Sequence, residues 1–409
     1  MAGLASIADF IMGQSPPSSS YNESGEGLPF FQGKTDFGFH HPEVRLFCNA
    51  PLKIARPNDI LMSVRAPVGP TNVANRECCI GRGLAAIRAK DIDGNFLYFN
   101  LRYLEKFIAS LGSGSTFHAI NKSQLASVEV NPHDFSRDEQ RRIAVVLGMV
   151  QRAIEEQERL IALTTELKKA LLHQLFTEGL RGEPQQQTDI GPIPQSWEVM
   201  TLGSLAKVGN GSTPKRDNED YWQGGTIPWL NSAKIHERFI TEADQFVTDL
   251  AVKECHLPRV NPGSLLVAIT GQGKTLGNTA LVYFQTCINQ HLAYAQFATS
   301  RVVPEFVLWF MQTRYDHLRS ISQGGGSTKG ALTCGYLKTY PVPVPAVDEQ
   351  HAIADVFAAL DRKEKVHRRK HAALTALFHT MLHQLMTAQL RVDDFNLPEL
   401  ISFTAKDAM

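Results

Sequence analysis

Apolar residues between positions 136 and 180 recur at alternating spacings of three and four: Ile143, Leu147, Val150, Ile154 and Ile161, then Leu160, Leu167, Leu171 and Leu175 after one shift of register. That spacing lines one face of a helix and, sustained over this length, forms a coiled-coil seam. Ser136 is placed to cap the helix, with Glu139 three residues on completing a capping box, so the pattern predicts one helix from about Ser136 to Thr177. At about 1.5 Å per residue such a helix is roughly 60 Å long, more than a compact domain requires. It must therefore leave its own globular domain. A second seam follows at Ile353, Phe357, Leu360, Leu374, Leu377, Met381 and Leu385. Two seams in one chain pack most simply on each other. Antiparallel packing with matched midpoints would bring Glu155, Glu156 and Glu158 against Lys363, Lys365, Arg368, Arg369 and Lys370. The alternative is two solvated faces.

The second helix is a copy of the first. Asp138-Glu139-Gln140 with Ile143-Ala144 returns 210 residues later as Asp348-Glu349-Gln350 with Ile353-Ala354, and Leu172-His173-Gln174-Leu175 returns as Leu382-His383-Gln384-Leu385. The duplication extends upstream. Gly13-Gln14-Ser15-Pro16 answers Gly209-Asn210-Gly211-Ser212-Thr213-Pro214, Pro29-Phe30-Phe31 answers Pro228-Trp229-Leu230, and 59–63 answers 264–268. Residues 80–85 likewise answer 288–293. Each half reads as short strands bounded by turns, then a helix (about 96–111 and 304–321), a Gly-Ser-Thr loop, and a last strand (127–130 and 339–342). The expected fold class is α+β, with two similar domains in pseudo-two-fold repeat and two long antiparallel helices. The expected segments are a first domain at 1–135, a helix at 136–180, a polar linker at 181–189, a second domain at 190–346, a helix at 347–391 and a tail at 392–409.

Composition is that of an ordinary globular chain of 409 residues, with 41 basic and 41 acidic side chains. Exact neutrality argues against a chain that binds nucleic acid by bulk charge. It leaves room for local basic loops, or for partners that hold the phosphates while this chain contacts bases. No apolar run approaches about 18 residues and no signal pattern is present, so a cytoplasmic protein with no membrane association is expected. The six cysteines (Cys48, Cys78, Cys79, Cys255, Cys287, Cys334) have no metal-ligand spacing and read as buried thiols; no metal is expected.

Catalytic constellations are missing, with one exception. Residues 268–275 carry a relaxed phosphate-loop string ending in Lys274-Thr275. Gly277 and Asn278 stand where the obligatory helix should begin, and the first half has no Lys-Ser/Thr equivalent. A β-hairpin is the better reading.

The Gly-Ser-Thr loops, the Asp-Glu-Gln helix starts, the Leu-His-Gln-Leu helix ends and Ile193-Pro194-Gln195-Ser196-Trp197 recur in one order along nearly the whole chain. In this the sequence resembles the specificity subunit of a type I restriction-modification system. One departure is that the first half lacks a counterpart of 193–197. The resemblance implies target-recognition domains that each read part of a bipartite, asymmetric double-stranded DNA site. It also implies helices that set the spacing and dock two methyltransferase subunits, and restriction (motor) subunits joining the complex. On that reading the chain itself catalyses nothing and holds no cofactor; S-adenosylmethionine, ATP and magnesium belong to the partners.

Base readout favours Arg, Lys, Asn, Gln, Ser and Thr on loops. The candidates in the first domain are Gln32, Lys34, Arg65, Arg82, Ser113, Ser115, Thr116 and His118. In the second they are Asn231, Lys234, Gln272, Lys274, Gln290, His291, Ser327, Thr328 and Lys329. Any of these could equally be a solvated or structural polar residue, and His118 and His291 fit a core role as well. Gln140, Gln174, Gln350 and Gln384 are candidates for partner contact, or for tying each helix to its domain. The rival functions are a nucleotide hydrolase built on Lys274 and a coiled-coil protein–protein scaffold.

Overall fold

The computed structural model describes residues 2–112, 119–130, 134–271, 274–324 and 332–392, and it divides into two compact units. The first comprises Met1–Leu160 with His367–Met409, the second Ile161–Val366. The division passes through the middle of both long helices, Arg137–Glu178 and Val347–Met386.

In the first unit the main sheet has the order Ala8–Met12, Leu84–Ala89, Ile60–Ser63, Thr71–Val73, every neighbour antiparallel. Ile60–Ser63 is buried throughout, as its unbroken apolar run requires. A second sheet of short strands pairs Leu28–Phe31 with Cys78–Ile80 in parallel, Phe30 beside Cys79. The helix Gly94–Tyr103 is capped by Asp93, whose carboxylate accepts from the Phe96 amide at 3.0 Å. It breaks at Leu104 and resumes as Glu105–Ser110. Phe96 and Leu97 share one core with Ile60, Met62 and Ile87 of the sheet. Ile143, Leu147 and Ile154 of the first long helix enter the same core, as do Phe378, Met381, Leu382 and Leu385 of the second. The start of one long helix and the end of the other thus lie side by side, which makes them antiparallel.

The second unit repeats the plan. Its main sheet runs Ala206–Asn210, Leu292–Phe297, Ser264–Ala268, Thr279–Val282, with Phe239–Ile240 added at the edge. Ile227–Leu230 lies parallel to Cys287–Ile288 in the register seen before, Trp229 beside Cys287. The helix Pro304–Thr313 breaks at Arg314, 210 residues after Leu104, and resumes as Tyr315–Gly324. Its core joins Phe306 and Trp309 to Ile353 and Phe357 of the second long helix and Leu175 and Phe176 of the first. The Leu-His-Gln-Leu motif is thereby explained. Its leucines, three apart, face a core, while His173, Gln174 and His383 stand exposed.

The Asp-Glu-Gln motif locks each helix start. Gln140 and Gln350 are 3% and 0% exposed. Gln140 Oε1 accepts from the Asp93 amide at 2.9 Å and its Nε2 donates to the Phe135 carbonyl at 3.2 Å. Gln350 repeats this with the Val303 amide at 2.7 Å and the Pro345 carbonyl at 2.8 Å, adding the Arg301 carbonyl at 2.8 Å. Of the two roles considered for these glutamines, the geometry gives them the anchoring one. Glu139 completes the capping box with Ser136 and meets Arg391 at 3.0 Å. Glu349 is buried, accepts from the Leu180 amide at 3.0 Å and lies 3.7 Å from Arg181, the repeat equivalent of Arg391.

Where the helices cross midway, Gln157 meets His367, its own repeat equivalent, at 2.9 Å, and Glu158 meets His371 at 3.0 Å. Glu158 is one of the expected acidic residues, but its partner here, His371, lies just past the expected basic run of 363–370. Within the second unit the polarity is reversed, with Lys168 of the first helix on Asp361 of the second.

Two local expectations are corrected. The segments before the last strands are short helices, Lys122–Ala126 and Cys334–Thr339, because Asn121 and Thr333 cap them; the strands follow at Glu129–Val130 and Pro341–Val344. The polar stretch 181–189 is partly ordered, since Gln185–Thr188 pairs antiparallel with Gly191–Pro194. Gln186 Nε2 donates to the Trp197 carbonyl at 2.9 Å, and Ile193 and Trp197 are buried.

A further polar link ties a sheet-edge loop to a long helix in each unit. His40 Nδ1 accepts from Gln151 Nε2 at 3.2 Å, a role open only to the neutral ring, and packs edge-on against Tyr98. At the equivalent place Arg238 donates to Asp361 at 2.6 Å and lies over the Trp309 ring. Burial, with His41, Arg102 and Arg152 nearby, pushes the His40 pKa down to about 4.

Replacing Gln350 with Leu leaves the Val303 amide and two carbonyls without partners, and should cost on the order of 3 kcal/mol in urea unfolding of the second unit. Because the folded-state pKa of His40 is depressed, its contribution is present above an unfolded pKa of about 6.5 and is lost as pH falls toward about 4. A His40→Gln chain should therefore lose less stability between pH 7 and pH 4.5 than the wild type, read as the shift in urea midpoint.

Candidate nucleic-acid interface

The loops at one end of each main sheet converge, and the two units use the same backbone hydrogen bonds to bring them together. In the first unit the Gly13 amide donates to the Leu84 carbonyl at 2.8 Å, Gln14 to Ile80 at 3.0 Å, Gly81 to Phe31 at 2.8 Å and Val64 to Gly83 at 2.9 Å. In the second, Gly211 donates to Leu292 at 3.4 Å, Ser212 to Ile288 at 3.0 Å, Asn289 to Leu230 at 2.9 Å and Ile269 to His291 at 3.0 Å. These pairs are repeat equivalents. Ile120 to Val64 at 3.0 Å and Leu332 to Ile269 at 2.8 Å bring a fifth segment to each cluster. The first loop must approach closely. A Cβ on Gly13 would sit 2.1 Å from the Gly81 carbonyl oxygen, and one on Gly211 would sit 1.9 Å from that of Ile288.

On this common frame the exposed side chains differ. The first cluster presents Gln32, Arg65 and Arg82, with Lys34 exposed in the turn Lys34–Asp36. The Asp36 carboxylate holds that turn by accepting from the Gln32 amide at 2.6 Å and the Gly33 amide at 3.2 Å. The Arg82 amide donates to Ser15 Oγ at 3.2 Å. The second cluster presents Gln290 and His291, exposed, with Asn231 and Thr270, half-buried, at the matching places. There Thr213, the counterpart of Ser15, bonds Gln290 Oε1; Thr270 bonds His291 Nδ1; and Gln290 Nε2 lies 3.3 Å from His291 Nε2. Thus Gln32, Arg65 and Arg82 come together, as do Asn231, Gln290 and His291. His291 is exposed, away from the core.

Other candidates are placed differently. Lys234 is 8% exposed, and its ammonium lies 2.8 Å from Glu237 and 3.1 Å from Asp244, a committed position inside the domain. Asn231 Oδ1 caps a short 3-10 turn by accepting from the Ala233 amide at 2.9 Å, which leaves the side-chain Nδ2 for another partner. Lys274 is exposed. Its carbonyl accepts from Tyr315 Oη at 2.8 Å. Ser113, Ser115, Thr116, His118, Gln272, Ser327, Thr328 and Lys329 lie outside the described residues. Gln174 is exposed and bonds Glu178 at 3.0 Å, and Gln384 is half-buried. Ser15, Thr213 and Thr270 join the clusters without being among the candidates above; the Gly-x-Ser/Thr-Pro string is the sequence signal for the first two. Arg216 is also outside those candidates; it stacks 3.9 Å from the Trp222 ring centroid and bonds Gln245 at 2.7 Å.

The phosphate-loop string is a hairpin connection. The strand Ser264–Ala268 precedes it and the antiparallel strand Thr279–Val282 follows, so the chain after Lys274-Thr275 enters a strand and not the helix a phosphate loop requires. Cys78 and Cys79 are fully buried, and desolvation raises their thiols to about 12 and about 11, which removes them as nucleophiles. Among the described residues, no group of three or more His, Cys, Asp or Glu side chains is placed to hold a metal ion. Nor is any helix among them long and apolar enough to cross a membrane.

Residues 3–165 and 194–376 match the sequence model of the family described as type I restriction modification DNA specificity domain. The protein of Methanocaldococcus jannaschii named "Putative type I restriction enzyme MjaX specificity subunit" is 43% identical over 173 residues, 42% of this chain and 40% of that relative. The MjaIX specificity subunit of the same organism is 28% identical over 250 residues, 59% of this chain and 57% of that relative. The matches thus span less than two thirds of either relative. The crystal structure of a type I restriction-modification S subunit from M. genitalium superposes with a TM-score of 0.64 at 18% identity, covering 94% of each chain, which speaks to the fold.

Substituting Gly211 with Ala should force the loop off the Ile288 carbonyl and destabilise the second unit by about 1–3 kcal/mol in thermal unfolding. Gly33→Ala, at an extended glycine with open space around its Cβ position, should change stability little.

Proposed function

The chain belongs to the type I restriction-modification DNA specificity family, and from that premise we propose how it works. It is a non-catalytic subunit whose two recognition domains each read one half of a bipartite, asymmetric site in double-stranded DNA. The two long helices set the spacing between the half-sites and dock two methyltransferase subunits. S-adenosylmethionine is bound by those subunits, and ATP and magnesium by restriction (motor) subunits of the same complex.

One observation carries this reading: equivalent loop clusters are held by equivalent backbone hydrogen bonds, while the exposed side chains on them differ. A duplicated frame with diverged display is what a reader of two unlike half-sites requires. The electrostatics agree. With 41 charges of each sign, the chain supplies base contacts from a few loops, and partner subunits supply most of the phosphate neutralisation. For the docking role, Leu167 and Leu377 are repeat equivalents, 50% and 46% exposed on the long helices. Two identical partners on a duplicated scaffold need two such apolar anchors.

Co-expression with the cognate methyltransferase, followed by mapping of methylated adenines, should give one bipartite motif with two unlike halves. A continuous motif, or methylation independent of this chain, sinks the reading, and binding to partners without any DNA dependence would favour the scaffold. Leu167→Glu and Leu377→Glu should each weaken methyltransferase association by about tenfold or more in a titration, with the fold unchanged by circular dichroism.

A further inference from the structure

We infer that the half-site read by the first domain contains a guanine contacted by Arg82, and that the half-site read by the second contains an adenine contacted by Gln290. The inference rests on the specificity reading and adds the class of base each domain recognises.

The two residues are the same position of the repeat. Each follows the residue whose amide is bound by the Phe31 or Leu230 carbonyl, and each precedes the residue whose carbonyl binds the Val64 or Ile269 amide. Each is also tied to the hydroxyl residue of the first loop, Arg82 through its amide to Ser15 and Gln290 through its side chain to Thr213. Backbone bonds on both sides therefore fix where each side chain starts, while both side chains remain exposed. A rigid start with an exposed tip is the geometry in which side-chain chemistry decides what is bound.

That chemistry differs sharply. The guanidinium of Arg82 offers donors only, matched to the paired acceptors O6 and N7 of guanine. The carboxamide of Gln290 offers one acceptor and one donor, matched to N6 and N7 of adenine. The surroundings reinforce the contrast. The first cluster adds the cations Arg65 and Lys34, whereas Asn231, Thr270 and His291 stand around Gln290. The Thr213 hydroxyl and the His291 ring orient the Gln290 amide in its plane before any base arrives. DNA binding replaces those contacts with the base edge.

The test uses the full chain in complex with its methyltransferase subunits, on duplex libraries with each position of the bipartite motif randomised in turn. The wild type should require guanine at one position of one half-site and adenine at one position of the other. Arg82→Gln should move the first requirement from guanine toward adenine by about tenfold or more and leave the second half-site untouched. Gln290→Arg should do the reverse in the second half-site alone. If the wild-type motif is bipartite but both variants keep it unchanged, the base assignment is wrong and the specificity reading stands. If no bipartite motif appears with the wild type, the specificity reading itself fails. Loss of methylation on every sequence by both Arg82→Gln and Arg82→Lys would also overturn the assignment, since it would make Arg82 a general binding residue.

Discussion

The structure depends on what happens at the first turn of each long helix. An isolated helix of some 40 residues with a polar outer face gains little in water, so it must be held by tertiary contacts. Here adjacent side chains hold it in two directions at once. The glutamine, buried, binds the backbone at the start of the domain's own helix, and the glutamate binds the segment that follows the end of the opposite long helix. A carboxamide suits the first task because it satisfies one amide and one carbonyl together, where an apolar side chain would orphan both. A carboxylate suits the second because its partner is an arginine at the same repeat position, Arg391 or Arg181.

Each core is consequently closed by the end of the other long helix. Phe378, Met381 and Leu385 complete the first core, and Leu175 and Phe176 the second. The repeat also tolerates an exchange of chemistry at this junction. Phe378 packs on Phe99 in the first unit. The equivalent Lys168 lies 4.8 Å from the Trp309 ring centroid in the second, held by Asp361, with burial lowering its pKa from the usual lysine range. Aromatic–aromatic and cation–aromatic contacts serve the same place because both present a flat ring to the long helix.

The features legible in the sequence were those set by periodicity and duplication. The two long helices, the Ser136–Glu139 capping box, the paired apolar strands and the antiparallel strands flanking 268–275 all follow from local rules, and the structure has them, although Leu167 and Leu377, expected in the helix seams, stand exposed. Less legible was whatever depended on contacts distant in sequence. Nothing local distinguishes Gln140, buried at 3% exposure, from Gln174, exposed one helix length later. Lys234 and Lys274 look alike in sequence, yet only the first has Glu237 and Asp244 folded against it. The polar string 185–188 reads as a linker because strand pairing across a tight turn leaves no apolar signature when Gln186 does its bracing through side-chain amide bonds.

The split between frame and display also explains how the duplicated loops keep the glycine of closest approach, Gly13 or Gly211, while exchanging Arg82 for Gln290 and Gly83 for His291. Backbone hydrogen bonds have no side-chain identity, so a loop cluster assembled by them can change its exposed residues without losing its shape. The cost of change is high where backbone approaches backbone in both units, as at Gly13 and Gly211. A recognition surface built this way can diverge between the two halves of one chain while each half remains seated on its helix by the same glutamine and glutamate. Duplication then supplies two sites of different chemistry on one conserved mounting.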